Sequence, residues 1–176
     1  MTALGLMLRA VSGSGKSTLT RSILAWAQDE GISCTTLSTD DLFITQGVYR
    51  FDPSLLESNH AQTVERFRHQ LSTGTQLVVI DNTNLHPEAL VPYHQVALQS
   101  GIRMHLVELL PNSFEYHCKA NVHGVPEVAI EAQFHAFEEH RAACHSLFPA
   151  PPMSLPSPPT EADQIRLQQM LASWLT

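Results

Sequence analysis

Residues 10–17 read Ala-Val-Ser-Gly-Ser-Gly-Lys-Ser and follow directly on the apolar run Leu4 to Leu8. No other stretch constrains the fold as strongly. Leu4 to Arg9 reads as a buried strand, and Lys16 to Glu30 as a helix that stops at Gly31. Between them, Gly13 and Gly15 let the backbone turn its N–H groups toward one point, and the following helix aims its positive dipole end at the same place. Strand, glycine turn and helix start together make a cradle for an anion. The pattern is G-x-x-x-x-G-K-[ST] except at its first position, where Ala10 stands; alanine is tolerated there if its φ is negative. The loop thus predicts nucleotide contacts from Ser12, Gly13, Ser14, Gly15, Lys16, Ser17 and Thr18. Lys16 would reach the β and γ phosphates, and Ser17 would offer its hydroxyl to Mg²⁺.

The rest of the chain alternates strand-like with helix-like segments. Strands are predicted over Ser33 to Ser38, Gln76 to Ile80 and Arg103 to Leu109, and helices over Pro53 to Ser72 and His86 to Ser100. Two further helices are expected at Asn112 to Lys119 and Pro126 to Phe148, around a break at His123-Gly-Val-Pro126. Such alternation implies an α/β fold of three layers, a parallel sheet of about five strands with helices on both faces. Six of the eleven prolines crowd between Pro149 and Pro159, predicting an extended connector with little helix or sheet. A last helix opens at Thr160, with Asp163 three residues on, and carries Leu167, Leu171, Trp174 and Leu175 on one face. The expected organisation is one domain over residues 1–148, a connector over 149–159, and a helix over 160–176 packed back on the domain.

Composition limits the partners. Ten basic against seventeen acidic side chains leave a net charge of −7, which offers no footprint for long duplex nucleic acid. Three widely spaced cysteines suit a reducing compartment, and no run of 18 apolar residues occurs, so a cytoplasmic protein with no membrane partner is expected.

In an open parallel sheet, chemistry gathers at the carboxyl ends of the strands. Those ends carry the glycine loop, Asp40-Asp41 and Asp81-Asn82-Thr83-Asn84. Asp81 closes the run Leu77-Val-Val-Ile, the pattern of the acid that supports Mg²⁺ in phosphate-loop proteins, so Ser17 and Asp81 are the candidate metal residues. One aspartate of the Asp40-Asp41 pair is a candidate proton acceptor for an attacking hydroxyl; the plain alternative is a pair that caps the next segment. The ten histidines suggest no metal centre, because His135 and His145 fall off the helical stripe shared by His140 and Cys144. His86 follows the end of the third strand and His123 opens the break before Pro126; both could touch substrate, or simply mark helix boundaries.

Four segments in order, Leu37-Ser-Thr-Asp-Asp-Leu-Phe, Gly47-Val-Tyr-Arg-Phe-Asp-Pro, Val79-Ile-Asp-Asn-Thr-Asn-Leu and Asn121-Val-His-Gly-Val-Pro, carry a family resemblance. Over about residues 4 to 140 the chain resembles the phosphate-loop kinases related to polynucleotide 5′-kinase, including the domain of NEDD4-binding-protein-2-like proteins. The resemblance implies transfer of the γ-phosphate of ATP, with Mg²⁺, to a hydroxyl, most readily a polynucleotide 5′-hydroxyl. A small-molecule acceptor, or an ATP-hydrolysing switch without transfer, are the alternatives. It places the general base on Asp40 and a catalytic role on Lys16, puts Asp81, Thr83 and Asn84 near acceptor and metal, and makes residues 117–126, with Asn121 on ATP, a mobile lid. Two positions depart from the pattern. The family's arginine before the lid asparagine is Ala120 here, and an arginine of that kind is worth about three to five powers of ten in rate. The arginine that polynucleotide kinases place three residues after the base is Phe43, which leaves Arg50 as the nearest cation on the acceptor side.

Overall fold

The computed structural model describes residues 3–122 and 124–176. His123 lies outside the described residues. The chain runs β1 (Leu4–Arg9), α1 (Lys16–Asp29), β2 (Cys34–Leu37), a 3-10 turn (Asp40–Phe43), β3 (Ile44–Thr45), β4 (Val48–Tyr49), a second 3-10 turn (Pro53–Leu55) and α2 (Leu56–Ser72). It continues through β5 (Leu77–Ile80), α3 (Pro87–Gln99), β6 (Arg103–Leu109), α4 (Phe114–Ala120), α5 (Glu127–Glu139), α6 (Arg141–Ser146), β7 (Met153–Leu155) and α7 (Glu161–Leu175). Five strands form one parallel sheet in the order β2-β5-β1-β6-β7, with β1 at its centre and Leu4 opposite both Leu77 and Arg103. β3 and β4 form a separate antiparallel hairpin.

Alternation along β1 distributes the core between two faces. Leu4, Leu6 and Leu8 pack with Leu19 and Ile23 of α1 and with Leu167, Leu171 and Leu175 of α7. Each of those fully covered leucines contributes about 1.5–3 kcal/mol. Met7 faces the other way, against Phe67 of α2, Leu90, Tyr93 and Val96 of α3 and Cys144 of α6. Gly5 shares that second face, where a Cβ would fall 2.1 Å from Met104 Sδ; the missing side chain makes room for the methionine. Among the described residues no helix is long and apolar enough to cross a membrane.

Two sequence expectations are corrected. The segment predicted as one helix from Pro126 to Phe148 breaks at His140 (φ −98°, ψ 3°). The break turns Arg141 and His145 onto Glu108, which is fully buried in β6. Arg141 donates to its Oε1 at 2.5 Å, Ser154 donates at 2.7 Å and His145 Nε2 lies 3.0 Å from Oε2, while the equally buried Arg9 approaches at 3.7 Å. Burial alone would raise the Glu108 pKa, but the bonds from Arg141, His145 and Ser154 outweigh it and hold it below the usual range.

The proline-rich segment is likewise more than a connector, because Met153–Leu155 pairs in parallel with Val107–Leu109 as the sheet's edge strand. Its prolines stand at 149, 151, 152, 156, 158 and 159, which leaves residues 153–155 free to pair. Leu110 N–H extends the ladder to Leu155 O at 2.8 Å. α7 then opens with a complete capping box between Thr160 and Asp163 and ends with Trp174 stacked on His105.

Candidate active site

β1 ends at Arg9, and the next residues bend away from the sheet as Ala10 N–H bonds Thr83 O at 3.0 Å. Among the described residues the non-glycine positions with positive φ are Gln46 and Asn84, so Ala10 meets the condition that lets alanine open the loop. Gly13 (φ 76°) and Gly15 (φ 87°) do take the left-handed conformation. A Cβ on Gly13 would stand 2.7 Å from His117 O, so close approach of α4 excludes a side chain there as well.

Three distant groups orient the loop. His117 Nδ1 sits 2.8 Å from Ser12 O, Ser157 Oγ donates to Ser14 O at 2.9 Å, and Ser12 N–H donates to Gln133 Oε1 at 2.8 Å. Asn112 joins two of them, since its backbone N–H donates to His117 Nε2 and its side-chain amide donates to Ser157 O. With its carbonyls tied to neighbouring elements, the loop leaves its amides turned the opposite way. Among the described residues none accepts from the backbone N–H groups of Gly13, Ser14, Gly15, Lys16 and Ser17. Consecutive unpaired amides at a helix start form an anion nest.

His117 is fully buried, and its two ring contacts require Nδ1–H as donor and Nε2 as acceptor, the neutral ring. Burial lowers its pKa, and the contact with Ser12 O opposes that only in part.

Lys16 Nζ lies 3.3 Å from Asp81 Oδ1, with both side chains largely covered. The Thr20 hydroxyl donates to Asp81 Oδ2 at 2.8 Å. Asp81 thus faces the loop lysine with lone pairs left over, and Ser17, next to that lysine in the chain, is exposed. Hard oxygen donors of this kind suit Mg²⁺, which keeps several waters and phosphate oxygens in its shell. Thr18 is exposed and accepts at its hydroxyl from Arg21.

Asp40 opens the 3-10 turn after β2 and is exposed. Asn82 Oδ1 accepts from Thr39 N–H at 2.8 Å, which ties the end of β5 to the start of that turn. The Tyr49 hydroxyl donates to Asp40 Oδ1 at 3.4 Å; burial first, then the Asp40 charge, keep that phenol protonated. Arg50 is exposed, with its backbone N–H on Phe43 O and no ion pair among the described residues. Thr83 is half-buried and offers its carbonyl to Ala10. Asn84 is buried and spends its side-chain amide on Leu8 O at 2.6 Å, so it fastens the loop after β5 to the central strand. Asn121 ends α4 and donates to Val125 O at 2.7 Å, while Ala120 and the Asn121 backbone nitrogen stand within contact distance of Gly13.

The metal question raised by the C-terminal histidines resolves into other roles. His140 packs tilted against His86 with ring centroids 4.7 Å apart, His145 serves Glu108, and Cys144 donates to Leu85 O. All three cysteines are free thiols, and burial pushes Cys34 up to about 12 and raises Cys144, so neither is an activated nucleophile.

Sequence reasoning missed His117, Gln133, Ser157, Asn112, Asn82, Tyr49 and Thr20. Only Thr20 carried a local signal, since position i+4 from Lys16 shares its helix face. The others reach the site through tertiary contacts.

The fold has counterparts among known proteins. The family model AAA_33, described as an AAA domain, matches residues 6–147. The human protein NEDD4-binding protein 2 is 32% identical over 129 residues, which cover 70% of this chain and 7% of that protein. This chain therefore spans a small fraction of that relative's length. Among solved structures, APS kinase CysC of Mycobacterium tuberculosis, in complex with AMPPNP and APS, superposes with a TM-score of 0.61 at 16% identity over 99% of this chain and 98% of its own. The Pnkp1/Rnl/Hen1 RNA repair complex gives 0.63 at 17% identity over 81% of this chain and 46% of its own. At such identities the structures show a shared phosphate-loop kinase fold.

Proposed function

This chain belongs to the AAA_33 family of AAA domains, and from that premise we propose that it is an ATP-dependent kinase that transfers the γ-phosphate to a hydroxyl, with a nucleic-acid 5′-hydroxyl as the acceptor. The observation that carries the reading is the run of amides from Gly13 to Ser17 with no acceptor among the described residues, within which Lys16 pairs with Asp81. Those amides and Lys16 would hold the triphosphate, with the α1 dipole adding to them. Ser17 and Asp81 would hold Mg²⁺, which when bound neutralises charge on the phosphate oxygens. Asp40, exposed and steadied by Tyr49, would take the proton of the attacking hydroxyl. Residues 117–126, already anchored on the loop through His117, would exclude water from the transferring group. Similarity to a structure of an RNA repair complex supports the 5′-hydroxyl acceptor, and similarity to APS kinase supports the reaction class.

A second reading has its own observation. Ala120 stands beside the loop where the resembling kinases place an arginine, so a slow ATPase that acts as a switch is the competing assignment. Following γ-labelled ATP decides between them. Label on a 5′-hydroxyl oligonucleotide supports the kinase, and label only in inorganic phosphate supports the switch. Lys16→Ala should abolish both turnover and nucleotide binding; an unchanged ATP affinity in that variant would remove the loop from the donor role.

A further inference from the structure

We propose that the β3–β4 hairpin and the residues after it form a stacking platform, in which Tyr49 and Phe51 receive the nucleobase of the molecule that presents the hydroxyl. The proposal rests on the kinase reading above and adds what the acceptor must look like. It is a nucleoside or a very short 5′-hydroxyl oligonucleotide, read by its terminal base and by at most one phosphate.

The hairpin belongs to the same site as the candidate base, because Tyr49 touches Asp40 at 3.4 Å. Its turn residues Gln46 (φ 52°) and Gly47 (φ 77°) both take positive φ, the two-residue turn that suits hairpin twist, so the tip is locally fixed. Tyr49 is 43% exposed and Phe51 54%, with Ile44 and Val48 equally uncovered around them. Beneath them Phe43 is buried and braces both rings, at 5.1 Å from Phe51 and 6.2 Å, edge-on, from Tyr49. The other Phe, Tyr and Trp side chains are buried or half-buried, whereas these two stand uncovered beside a candidate active site, which marks a binding surface.

Charge narrows the occupant. Residues 40–60 carry Asp40, Asp41, Asp52 and Glu57 against the single cation Arg50. Past Pro53 and Leu56 the surface continues as a groove lined by Glu57, Glu65 and Glu88. A phosphodiester strand laid along it would meet carboxylates, whereas a flat uncharged ring on Phe51 meets none. Arg50 can pair with one phosphate and no neighbour can pair with a second. Phe43 thus takes the place of a phosphate-holding arginine with a brace for a base-holding surface.

The test is a titration of the full chain, with Mg²⁺ and a non-hydrolysable ATP analogue present, by a 5′-hydroxyl dinucleotide carrying 2-aminopurine as its 5′ base. Stacking quenches that fluorophore. Saturable quenching is expected, and Phe51→Ala should weaken binding about 5- to 150-fold, the range for one base stacked on one aromatic side chain. Phe51→Leu, which keeps apolar bulk without a flat face, should lose most of the same factor. A dinucleotide with an abasic 5′ sugar should bind the native chain as weakly as Phe51→Ala binds the intact one, and should not respond to the substitution. The slope of log affinity on log salt should be about −0.7, that of one phosphate contact on a single strand. ATP affinity, unchanged across the variants, shows that they are folded. Equal binding of the abasic acceptor, full affinity in Phe51→Ala or Phe51→Leu, a slope of several contacts, or no binding would each overturn the platform. Transfer that persists in Phe51→Ala with an unchanged acceptor KM overturns the platform and leaves the kinase. Quenched binding with label released only to water does the reverse.

Discussion

Around the phosphate loop, polar groups are tied to parts of the chain more than a hundred residues away: Ser12 to His117 and Gln133, Ser14 to Ser157. Around the hairpin the ties are local, Tyr49 to Asp40 and Arg50 to Phe43, and the side chains face solvent. The first arrangement exists only when α4, α5 and the segment after β7 are all docked, so nucleotide binding and domain stability depend on the same contacts. The second can change its side chains with little cost to the fold. A kinase scaffold built this way keeps one donor and is free to vary its acceptor.

Four measurements break or sharpen that contrast. The largest effect is expected on the acceptor side, where Asp40→Asn should lower transfer by about 10²–10⁴-fold, the usual span for a general base, while ATP affinity is retained. Full transfer in that variant removes Asp40 from the role. Next, His117→Ala strips a donor and an acceptor from buried partners and should cost about 1–3 kcal/mol of stability, together with ATP affinity. A melting curve shows this, and Phe51→Ala should shift the same curve by no more than about 0.5 kcal/mol, as for a surface change. If both variants lose stability equally, the contrast fails.

Acidification gives a smaller effect. The folded chain holds His117 neutral with a lowered pKa, whereas the unfolded chain titrates near the usual value of about 6.5. Its contribution is therefore complete above about pH 6.5 and is lost as pH falls from there toward the lower folded value. Stability and ATP affinity should decline together from pH 7 to 5.5, and His117→Gln should flatten that decline; an identical slope assigns it to another group. Glu108, whose folded pKa is lowered, acts in a separate window below about pH 4.5, where its contribution is lost as the pH falls. Smallest of all, Tyr49→Phe removes one exposed hydrogen bond to Asp40 and should slow transfer about two- to tenfold without altering stability, as initial rates at saturating ATP would show.

What the sequence made legible divides along the same line. The loop, α1, the central strands and the placement of Asp40 and Asp81 follow from local rules: glycine spacing, apolar runs and strand ends. Asn84 misleads because a buried amide bonded to Leu8 O looks, in a string, like any polar residue after a strand. His117 is invisible for the opposite reason, since its contacts with Ser12 and Asn112 come from packing that no periodicity encodes. β7 hides among prolines because three residues are too few to show alternation, and the break at His140 answers the needs of Glu108, a residue more than thirty positions earlier.

The Ser157 hydroxyl that holds Ser14 O stands 143 positions after it, and the sheet's edge strand lies just before that serine. The stretch from Leu4 to Phe148 thus holds the whole glycine motif but neither the bond to Ser14 O nor the edge strand beside β6. A cut between α6 and α7 would free that carbonyl while sparing every residue of the glycine motif.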